Sequence, residues 1–388
     1  MDPVKVGIIG IGNMGSAHTS FVEKSSLCQL NAVCDANTKA FDRICESARD
    51  RVAKYTDVDR FLAEADVELV MIAVPHYDHP RLAIKAMNAG KHIIVEKPIC
   101  VHKAAAEKLI AEAAKHPELV KSAMFNQRMR GAHKKIKAMI DNGELGKITR
   151  INWIITDWFR TQHYYDSGDW RASWRGEGGG VLLNQCPHQL DLMQWFFGLP
   201  SKVRASVKLG KYHDIEVEDE VNAYLEYPDG KVGNFIASTG EMPGTNRLEI
   251  TAERGRLVFE NGKLEFLRNE IGTAEFCRTT KSSFDTAPCW KCEIPYKDSA
   301  IPEHRQIIEN VAGAIRNGTP LMAPVEEGIR GLELGNSILL SGLKEKTVEF
   351  PMDSAEYETM LEELIASSRY QKKAVVSQEI DDSFNSSF

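Results

Sequence analysis

The sequence contains no apolar run of about 18 residues, the length at which a helix can span a membrane. It also lacks an excess of positive charge, because it contains 48 Lys and Arg residues and 55 Asp and Glu residues, which gives a net charge of −7. We therefore expect neither a membrane protein nor one that binds nucleic acid through a basic surface. Internal repeats and low-complexity blocks are absent as well. The composition, with 43% hydrophobic and 27% charged residues, excludes a disordered, collagenous or coiled-coil chain.

Cysteine is present at eight scattered positions. Residues 1–5 have neither the basic segment nor the apolar segment of a secretion signal, so we expect a cytoplasmic protein with reduced thiols. Cys289 and Cys292 form a CxxC pair without a second pair or a nearby pair of histidines, and a zinc site needs four ligands. Because this pair also lies in a region expected to be a loop, the sequence predicts neither a metal site nor a redox site there.

What is present is typical of a globular protein of two or three domains, with 388 residues, of which 43% are hydrophobic and 27% charged. Over residues 1–125, short apolar runs alternate with helical patterns, which predicts parallel βαβ units. Beyond residue 125, alternating β-branched and aromatic segments, with hairpin signals such as Asn261-Gly262, predict a large, open and mostly antiparallel sheet. The sequence thus predicts an α/β protein with a first domain at 1–125 and a second at 126–388.

The first predicted βα turn carries a glycine pattern, Gly10-Ile11-Gly12-Asn13-Met14-Gly15. Such glycines allow a tight turn, close approach of the backbone to a pyrophosphate, and close packing of helix on strand. The N-terminus of the following helix offers N–H donors and the positive end of its dipole to phosphates. The pattern predicts a dinucleotide site that includes Gly10, Gly12, Asn13, Met14 and Gly15.

Asp35 lies about 20 residues after this pattern, at the end of the predicted second strand, where a carboxylate binds the adenosine ribose hydroxyls. A carboxylate repels the 2′-phosphate of NADP, and Asp35 is followed by Ala36 and Asn37 rather than by a cation. The first cation after it is Lys39. The sequence therefore predicts NAD as the cofactor, with NADP less favoured.

Two further segments carry candidate chemistry. A buried strand is predicted to end at Glu96-Lys97-Pro98, and ligands of parallel sheets bind at the carboxyl ends of the strands. A glycine triplet at 178–180 precedes an apolar helical pattern that contains His188, and a histidine near a substrate hydroxyl can accept its proton. If one helix runs through this pattern, Asn184 and His188 share a face. The alternative is a solvated lysine and a core histidine.

These motifs resemble, over about residues 4–350, the three signature blocks of the glucose–fructose oxidoreductase/inositol dehydrogenase (Gfo/Idh/MocA) family. Further blocks that look like those of the family are Val74-Pro75-His76 with His79, and Phe125-Asn126-Gln127-Arg128. The resemblance implies a Rossmann domain followed by an α/β domain on a large open sheet. It also implies NAD(P)-dependent oxidation of a secondary alcohol on a sugar or cyclitol.

The resemblance implies that Lys97 holds the reacting hydroxyl and that His188 is the general base. It implies cofactor contacts from Val74, Pro75, His76, His79, Glu96, Lys97 and Gln127. Many family members have Asp four residues before the histidine, where this chain has Asn184, which can bind a hydroxyl but cannot take a proton. An Asn at this place resembles the branch that oxidises C3 of sugar nucleotides.

Aromatic and charged side chains crowd the stretch before the glycine triplet. Aromatic rings stack on the C–H faces of sugars, and charged or amide groups bind hydroxyls, so a carbohydrate pocket needs both. We expect substrate contacts from Lys97, Asn126, Arg128, Trp158, Arg160, Tyr164, Tyr165, Trp170, Asn184 and His188, while His163, Asp169 and Arg171 lie in the same stretch. The alternative is a packed loop with a polar rim.

The leading hypothesis is an NAD-dependent dehydrogenase that oxidises a secondary hydroxyl, at C3, of a sugar, glycoside, sugar nucleotide or cyclitol. Two alternatives stay open. One is an enzyme that retains NAD and cleaves a glycosidic bond through transient C3 oxidation, with His163, Tyr164 or Tyr165 as the base at C2. The other is a non-catalytic ligand sensor, which has no need of both Lys97 and His188. We expect a carbohydrate substrate and a homo-oligomer, dimer or tetramer, formed through the open sheet.

Overall fold

The computed structural model describes residues 2–168 and 170–371. The chain divides into two compact units. Unit 1 runs up to Glu144 and also includes Pro187–Leu199 and Pro295–Leu334. Unit 2 comprises Leu145–Cys186, Pro200–Ile294 and the described residues from Gly335 onward. The domain boundary expected at residue 125 stays a prediction, since later stretches of the chain also belong to unit 1.

Six parallel strands form the sheet of unit 1: β1 (Val4–Ile9), β2 (Cys28–Cys34), β3 (Ala53–Tyr55), β4 (Leu69–Ile72), β5 (His92–Val95) and β6 (Lys121–Ala123). Their order across the sheet is β3-β2-β1-β4-β5-β6. The apolar runs that predicted β1, β4 and β5 are almost wholly buried, as a parallel sheet covered on both faces requires. This is the strand order of a dinucleotide-binding Rossmann fold, which confirms the predicted fold of the N-terminal part.

Nine further strands form the sheet of unit 2: β7 (Ile148–Ile155), β8 (Lys202–Leu209), β9 (Glu218–Glu226), β10 (Val232–Ser238), β11 (Asn246–Ala252), β12 (Gly255–Glu260), β13 (Lys263–Asn269), β14 (Cys289–Glu293) and β15 (Val348–Glu349). Their order is β14-β13-β12-β11-β7-β10-β9-β8-β15. Only β7 and β10 pair in parallel, so the prediction of a mostly antiparallel sheet is confirmed. Asn261 and Gly262 form the predicted hairpin turn, with φ of 50° and 71°.

The helices of the described residues are α1 (Asn13–Glu23), α2 (Glu46–Arg49), α3 (Val58–Glu64), α4 (His79–Asn88), α5 (Lys103–Ala113), α6 (Gly131–Asp141), α7 (Gln162–Asp166), α8 (Pro187–Phe197), α9 (Thr273–Thr279), α10 (Glu303–Asn317), α11 (Gly328–Leu343) and α12 (Ser354–Ser367). None of these helices is long and apolar enough to cross a membrane. Between β2 and β3 the chain forms a 3₁₀ turn, Thr38–Arg43, followed by the short α2.

One helix does not run from Asn184 to His188. Asn184 lies in a π-helical turn, Val181–Gln185, and α8 begins at Pro187. Proline has no N–H to donate to the preceding turn and is favoured at the first position of a helix, so a new helix starts there. The condition under which Asn184 and His188 would share one helical face is therefore not met.

The CxxC pair lies in a strand rather than in the expected loop. Cys289 and Cys292 are the first and fourth residues of β14, so their side chains point to opposite faces of the sheet. Three steps along a strand separate the two Cα atoms by about 10 Å, which is too far for a disulfide bond.

The two faces of the unit 2 sheet differ in composition. Ile151, Trp153 and Ile155 of β7 point to the buried face. On the opposite face Arg247 donates hydrogen bonds to Glu249 at 3.0 Å and to Glu260 at 2.6 Å. An exposed apolar face would favour oligomers formed through the sheet, but this face also carries charged side chains. Assembly through the sheet stays a prediction.

The turn after β1 permits no side chain at Gly15. A Cβ on Gly15 would lie 1.8 Å from the carbonyl oxygen of Gly10, whereas a Cβ on Gly12 would meet nothing within 4 Å. We expect Gly15→Ala to lower the free energy of unfolding by about 1–3 kcal/mol, the usual cost of overpacking. Gly12→Ala, the matched control, should change it by less than about 0.5 kcal/mol. Urea denaturation of both variants tests this, and equal stability of the two would contradict it.

Candidate active site

The glycine turn and Asp35 form one hydrogen-bonded group in unit 1. Asp35 follows β2, and its carboxylate accepts hydrogen bonds from the backbone N–H of Ile11 and of Asn37, both at 2.8 Å. The carboxylate is thus held beside the turn that follows β1. Because Gly12 leaves open space around its Cα, a pyrophosphate can approach the backbone there. These residues fit a dinucleotide.

Arg43 is a cation at this turn that the sequence reading missed. Its guanidinium donates a hydrogen bond to the side-chain oxygen of Asn13 at 3.2 Å. Lys39, the cation considered from the sequence, is exposed and is the second residue of the 3₁₀ turn Thr38–Arg43, which ends at Arg43. A carboxylate and a guanidinium therefore contact the same glycine turn, and their charges favour opposite choices between the ribose hydroxyls of NAD and the 2′-phosphate of NADP.

The loops that follow β4 and β5 are joined by His79. One ring nitrogen of His79 lies 2.8 Å from the carbonyl oxygen of Val74, and the other lies 2.7 Å from that of Pro98. His76 is also buried, with its ring centroid 5.9 Å from that of His79. His79 thus fixes the segments that contain Val74, Pro75 and Lys97. The cofactor contacts expected from this segment stay predictions.

Glu96 is a buried carboxylate next to Lys97. One oxygen lies 2.6 Å from Nε2 of His18 on α1, and the other accepts the backbone N–H of Lys97 at 3.1 Å. Burial alone would raise the pKa of Glu96, but the hydrogen bond to His18 and the charges of His18, His304 and Lys97 hold this pKa at about 2. Glu96 is therefore ionised at neutral pH.

His188, the predicted general base, lies in unit 1 with Lys97. It is 9% exposed and is the second residue of α8. Burial lowers the pKa of His188 well below its usual value, and the positive charge of Lys97 lowers it further. Its Nδ1 is buried and has no hydrogen-bond partner in the part of the chain that the structure describes. A neutral imidazole with an unpaired nitrogen can accept a proton, so the geometry suits the predicted role.

Arg128 is wholly buried and held by other protein groups. Its guanidinium donates two hydrogen bonds to Asp191, at 2.6 and 2.8 Å, and others to Glu327 at 2.5 Å and to the Met322 carbonyl at 2.9 Å. Asp191 lies three residues after His188 in α8, so Arg128 fixes the helix that carries the base. The geometry favours this positioning role, and the predicted substrate contact of Arg128 stays untested.

Asn126 and Gln127 precede Arg128 in the 3₁₀ turn Asn126–Met129. The amide nitrogen of Asn126 lies 3.5 Å from Nδ1 of His304 on α10. The side-chain oxygen of Asn126 is buried and has no partner among the described residues. Gln127 is buried, and its backbone carbonyl oxygen lies 2.7 Å from Nδ1 of His133. The oxygen of Asn126 can therefore accept a hydrogen bond from a cofactor amide or a substrate hydroxyl.

A second cluster, in unit 2, surrounds Tyr164. The hydroxyl oxygen of Tyr164 accepts hydrogen bonds from Arg171 at 2.6 Å and from the side-chain amides of Asn184 and Gln185 at 3.2 Å. The guanidinium of Arg171 also stacks on Trp170, 4.5 Å from the ring centroid. Four of the residues predicted to bind substrate thus belong to this cluster: Arg160, Tyr164, Trp170 and Asn184.

Tyr165 faces the interior of unit 2 instead. It is 1% exposed, and its hydroxyl lies 2.9 Å from that of Thr239. The geometry favours a core role for Tyr165, and its predicted substrate contact stays untested. Asp169 lies outside the described residues.

Glu177 is a buried carboxylate that the sequence reading did not single out. One oxygen accepts a short hydrogen bond from the amide of Asn184, and the other accepts the backbone N–H of Ala172 at 2.7 Å. The amide group of Asn184 is therefore oriented with its NH₂ toward Glu177 and Tyr164. The one sequence signal near Glu177 is the glycine triplet that follows it. The turn at these glycines allows Glu177 to contact Asn184.

The structure thus brings the predicted residues into two clusters, each within one unit. Lys97, His188, Glu96 and Asn126 belong to unit 1, together with His18 and His304, which the sequence reading missed. Within the described part of the chain, no group of three or more His, Cys, Asp or Glu side chains is placed to hold a metal ion.

Comparison with known families agrees with this geometry. The family description "Oxidoreductase family, NAD-binding Rossmann fold" matches residues 4–123, and the GFO/IDH/MocA C-terminal domain matches residues 133–258. Levoglucosan dehydrogenase of Pseudarthrobacter phenanthrenivorans is 25% identical, over 92% of this chain and 100% of that protein. Myo-inositol 2-dehydrogenase of Thermotoga maritima is 23% identical, over 86% and 94%.

A third relative, an uncharacterized oxidoreductase of Schizosaccharomyces pombe, is 28% identical over 63% of this chain and 66% of that protein. Among solved structures, the WlbA dehydrogenase of Bordetella pertussis in complex with NADH and UDP-GlcNAcA has a TM-score of 0.76 at 22% identity, with 91% of this chain and 100% of that chain covered. That likeness shows the same fold. With the two family matches and the Rossmann strand order, it follows that the chain belongs to the Gfo/Idh/MocA family of NAD-binding oxidoreductases.

Proposed function

We propose that this protein is an NAD-dependent dehydrogenase that oxidises a secondary hydroxyl, at C3, of a sugar, glycoside, sugar nucleotide or cyclitol. The observation that carries the proposal is the buried His188, whose pKa is lowered by burial and by the charge of Lys97 in the same unit as the NAD-binding fold. Relatives named levoglucosan dehydrogenase and myo-inositol 2-dehydrogenase support a polyhydroxylated substrate.

Lys97 and His188 have different roles in the reaction of the alcohol. The ammonium of Lys97 donates a hydrogen bond to the hydroxyl oxygen and stabilises the negative charge that develops on it. His188 takes the hydroxyl proton onto its neutral ring. Bound NAD supplies the acceptor for the hydride that leaves the carbinol carbon. The alcohol thus loses one hydride and one proton and becomes a ketone.

Glu96 and His18 position Lys97. Glu96 accepts the backbone N–H of Lys97, and its negative charge lies beside the ammonium. His18 in turn binds the second oxygen of the carboxylate. A buried carboxylate with both oxygens bonded has one orientation, so the lysine that follows it is held in place.

The alternative of an NAD-retaining enzyme that cleaves glycosides stays open. The hydroxyl oxygen of Tyr164 accepts three hydrogen bonds, which suits a base at C2. A stoichiometric amount of NAD that remains through gel filtration, with glycoside cleaved and no net NADH formed, would favour that alternative. Homo-oligomers through the open sheet, a cytoplasmic location and the domain boundary at residue 125 are likewise proposals from the sequence.

Removal of either member of the proton pair should lower turnover while NAD still binds. We expect Lys97→Ala and His188→Gln each to lower kcat by about 10²–10⁴-fold, the usual size of acid–base contributions, with the Kd for NAD changed less than about threefold. Because the pKa of His188 is lowered, the wild-type rate should not fall between pH 8 and the ordinary histidine pKa of about 6.5. Absorbance of NADH and calorimetric titration measure these quantities.

Lys85→Ala is the control for this experiment, because Lys85 pairs with Asp59 at the surface of the same unit. It should leave both turnover and NAD binding unchanged. If His188→Gln lowers the melting temperature but leaves the rate per folded molecule intact, His188 is a core histidine and the proposed base is wrong.

The contact between Asn184 and Glu177 makes a second test possible. Asn184→Asp would place a second carboxylate against Glu177, and two adjacent carboxylates repel each other. We expect a loss of about 1–3 kcal/mol in unfolding free energy, which shrinks as the pH falls and one carboxylate takes a proton. Thermal unfolding between pH 5 and 8 measures it.

The double variant Glu177→Gln/Asn184→Asp exchanges the acid and the amide and is the matched control. It restores one donor facing one acceptor, so it should recover most of the lost stability and keep measurable turnover. If the double variant is as unstable as Asn184→Asp alone, the two side chains do not act as a pair.

Cofactor choice should depend on the charges at the glycine turn. Asp35→Asn keeps an oxygen for the N–H of Ile11 but removes the charge, so NAD should bind about 10–100-fold more weakly and NADP no worse than before. If Arg43 then assists the 2′-phosphate, Asp35→Asn/Arg43→Ala should lose affinity for NADP specifically. Calorimetric titrations with both cofactors test this, and a wild-type preference for NADP would contradict the role given to Asp35.

A further inference from the structure

Arg160 lies in unit 2, in the segment between β7 and α7, and its backbone is held at both ends. Its N–H donates to the carbonyl of Thr239 at 2.9 Å, and its own carbonyl accepts a hydrogen bond from Nε2 of His213 at 2.8 Å. The second ring nitrogen of His213 lies 3.0 Å from Asp219. The side chain of Arg160 therefore starts from a fixed point.

The guanidinium of Arg160 is packed against aromatic rings. Its guanidinium lies 5.2 Å from the ring centroid of Trp158 and 5.1 Å from that of Tyr164, and it donates to the carbonyl of Phe159 at 2.9 Å. Nε of Arg160 and the indole N–H of Trp158 are both buried, and neither has a hydrogen-bond acceptor within residues 2–168 and 170–371. Among the residues that the structure describes, no carboxylate lies within 4.0 Å of this guanidinium.

A second guanidinium, that of Arg171, belongs to the same cluster. The guanidinium of Arg171 lies 4.4 Å from the centroid of the same Tyr164 ring and donates to its hydroxyl. Glu177, which the cluster reaches through Asn184, already accepts hydrogen bonds from Asn184 and Ala172. Two guanidinium groups thus share one aromatic ring, and the carboxylate connected to the cluster has both oxygens occupied.

Buried donors without acceptors are costly, and a fixed guanidinium beside them matches an oxyanion in charge and geometry. Neutral sugar hydroxyls would satisfy the donors but would not balance the charge. Aromatic stacking also favours oxyanion binding, because a guanidinium fixed between rings loses little conformational freedom when it binds a carboxylate or phosphate.

We propose that Arg160, with the indole N–H of Trp158, binds an oxyanion, so that this part of unit 2 is a site for the carboxylate or phosphate group of an anionic sugar. Every residue that forms this site belongs to unit 2.

The test is calorimetric titration of the NAD-saturated protein with three probes: glucuronate, glucose 1-phosphate and glucose. At least one anionic probe should bind about tenfold or more tightly than glucose, the effect of one charge-assisted contact. Arg160→Gln should abolish that difference and leave the affinity for glucose unchanged, while Arg160→Lys should retain part of it. Arg268→Gln, which alters an exposed arginine of β13, is the control and should retain all of it.

The two anionic probes distinguish a carboxylate from a phosphate. Equal affinity for all three probes, absence of binding by both anionic probes, or discrimination that survives in Arg160→Gln would overturn the inference. The outcome is separable from the proposed function, which NADH formation from neutral polyols and its loss in Lys97→Ala test independently. If the Arg160→Gln variant oxidises neutral sugars normally but still distinguishes the anionic probes from glucose, the dehydrogenase assignment stands and only the oxyanion site is wrong.

Discussion

The ion pair between Arg128 and Asp191 is the interaction on which the site in unit 1 depends. Both side chains are almost wholly buried, and neither charge could remain there alone. Removal of one partner from such a pair typically costs about 3–5 kcal/mol, because the other charge is left without compensation. Since Asp191 lies one helical turn after His188, the pair that stabilises unit 1 also sets the position of the proposed base.

The buried charge of Glu96, next to Lys97, must be compensated in the same way. Glu96 is buried beside Lys97 and bonded to His18, so its negative charge is compensated by groups from α1 and from the end of β5. Lys97 and His188 are thus each fixed by a buried carboxylate. Chemistry at this site depends on two carboxylates that do not themselves react.

The features that the sequence predicted are those that depend on residues close together along the chain. The glycine turn, Asp35 and the alternation of strands and helices lie within short stretches, so the Rossmann fold, the family and the cofactor could be predicted, and the structure and the comparisons confirm them. The partners of Arg128 and Glu96 could not be predicted. Asp191 is 63 residues from Arg128, and Glu96 is 78 residues from His18.

Two local patterns misled for a physical reason. The spacing of Asn184 and His188 fits one helix, but Pro187 starts a new one. The CxxC pair resembles a compact motif, but pairing of β14 with β13 extends it into a strand. In both cases the backbone conformation, rather than the residue types, decides which side chains can meet.

The buried histidines of unit 1 make its folding a proton-releasing reaction in mild acid. Burial lowers the pKa of His133 and of His304 to about 4 and that of His188 below its usual value, so below about pH 6.5 the unfolded chain takes up protons that these rings refuse. Each ring removes up to about 1.4 kcal/mol of stability per pH unit until its folded pKa is reached.

The buried carboxyl of Glu218 in unit 2 gives stability the opposite pH dependence. Its carboxylate accepts the N–H groups of Gly180 and Leu182, and burial raises its pKa to about 7, so its contribution to stability is present in acid and is lost as the pH rises from about 4.5 through 7. Through these groups, acidification weakens the unit that carries the nucleotide fold and strengthens the turn that carries Asn184. Proton binding therefore favours the unfolded state of unit 1 and the folded state of the turn in unit 2.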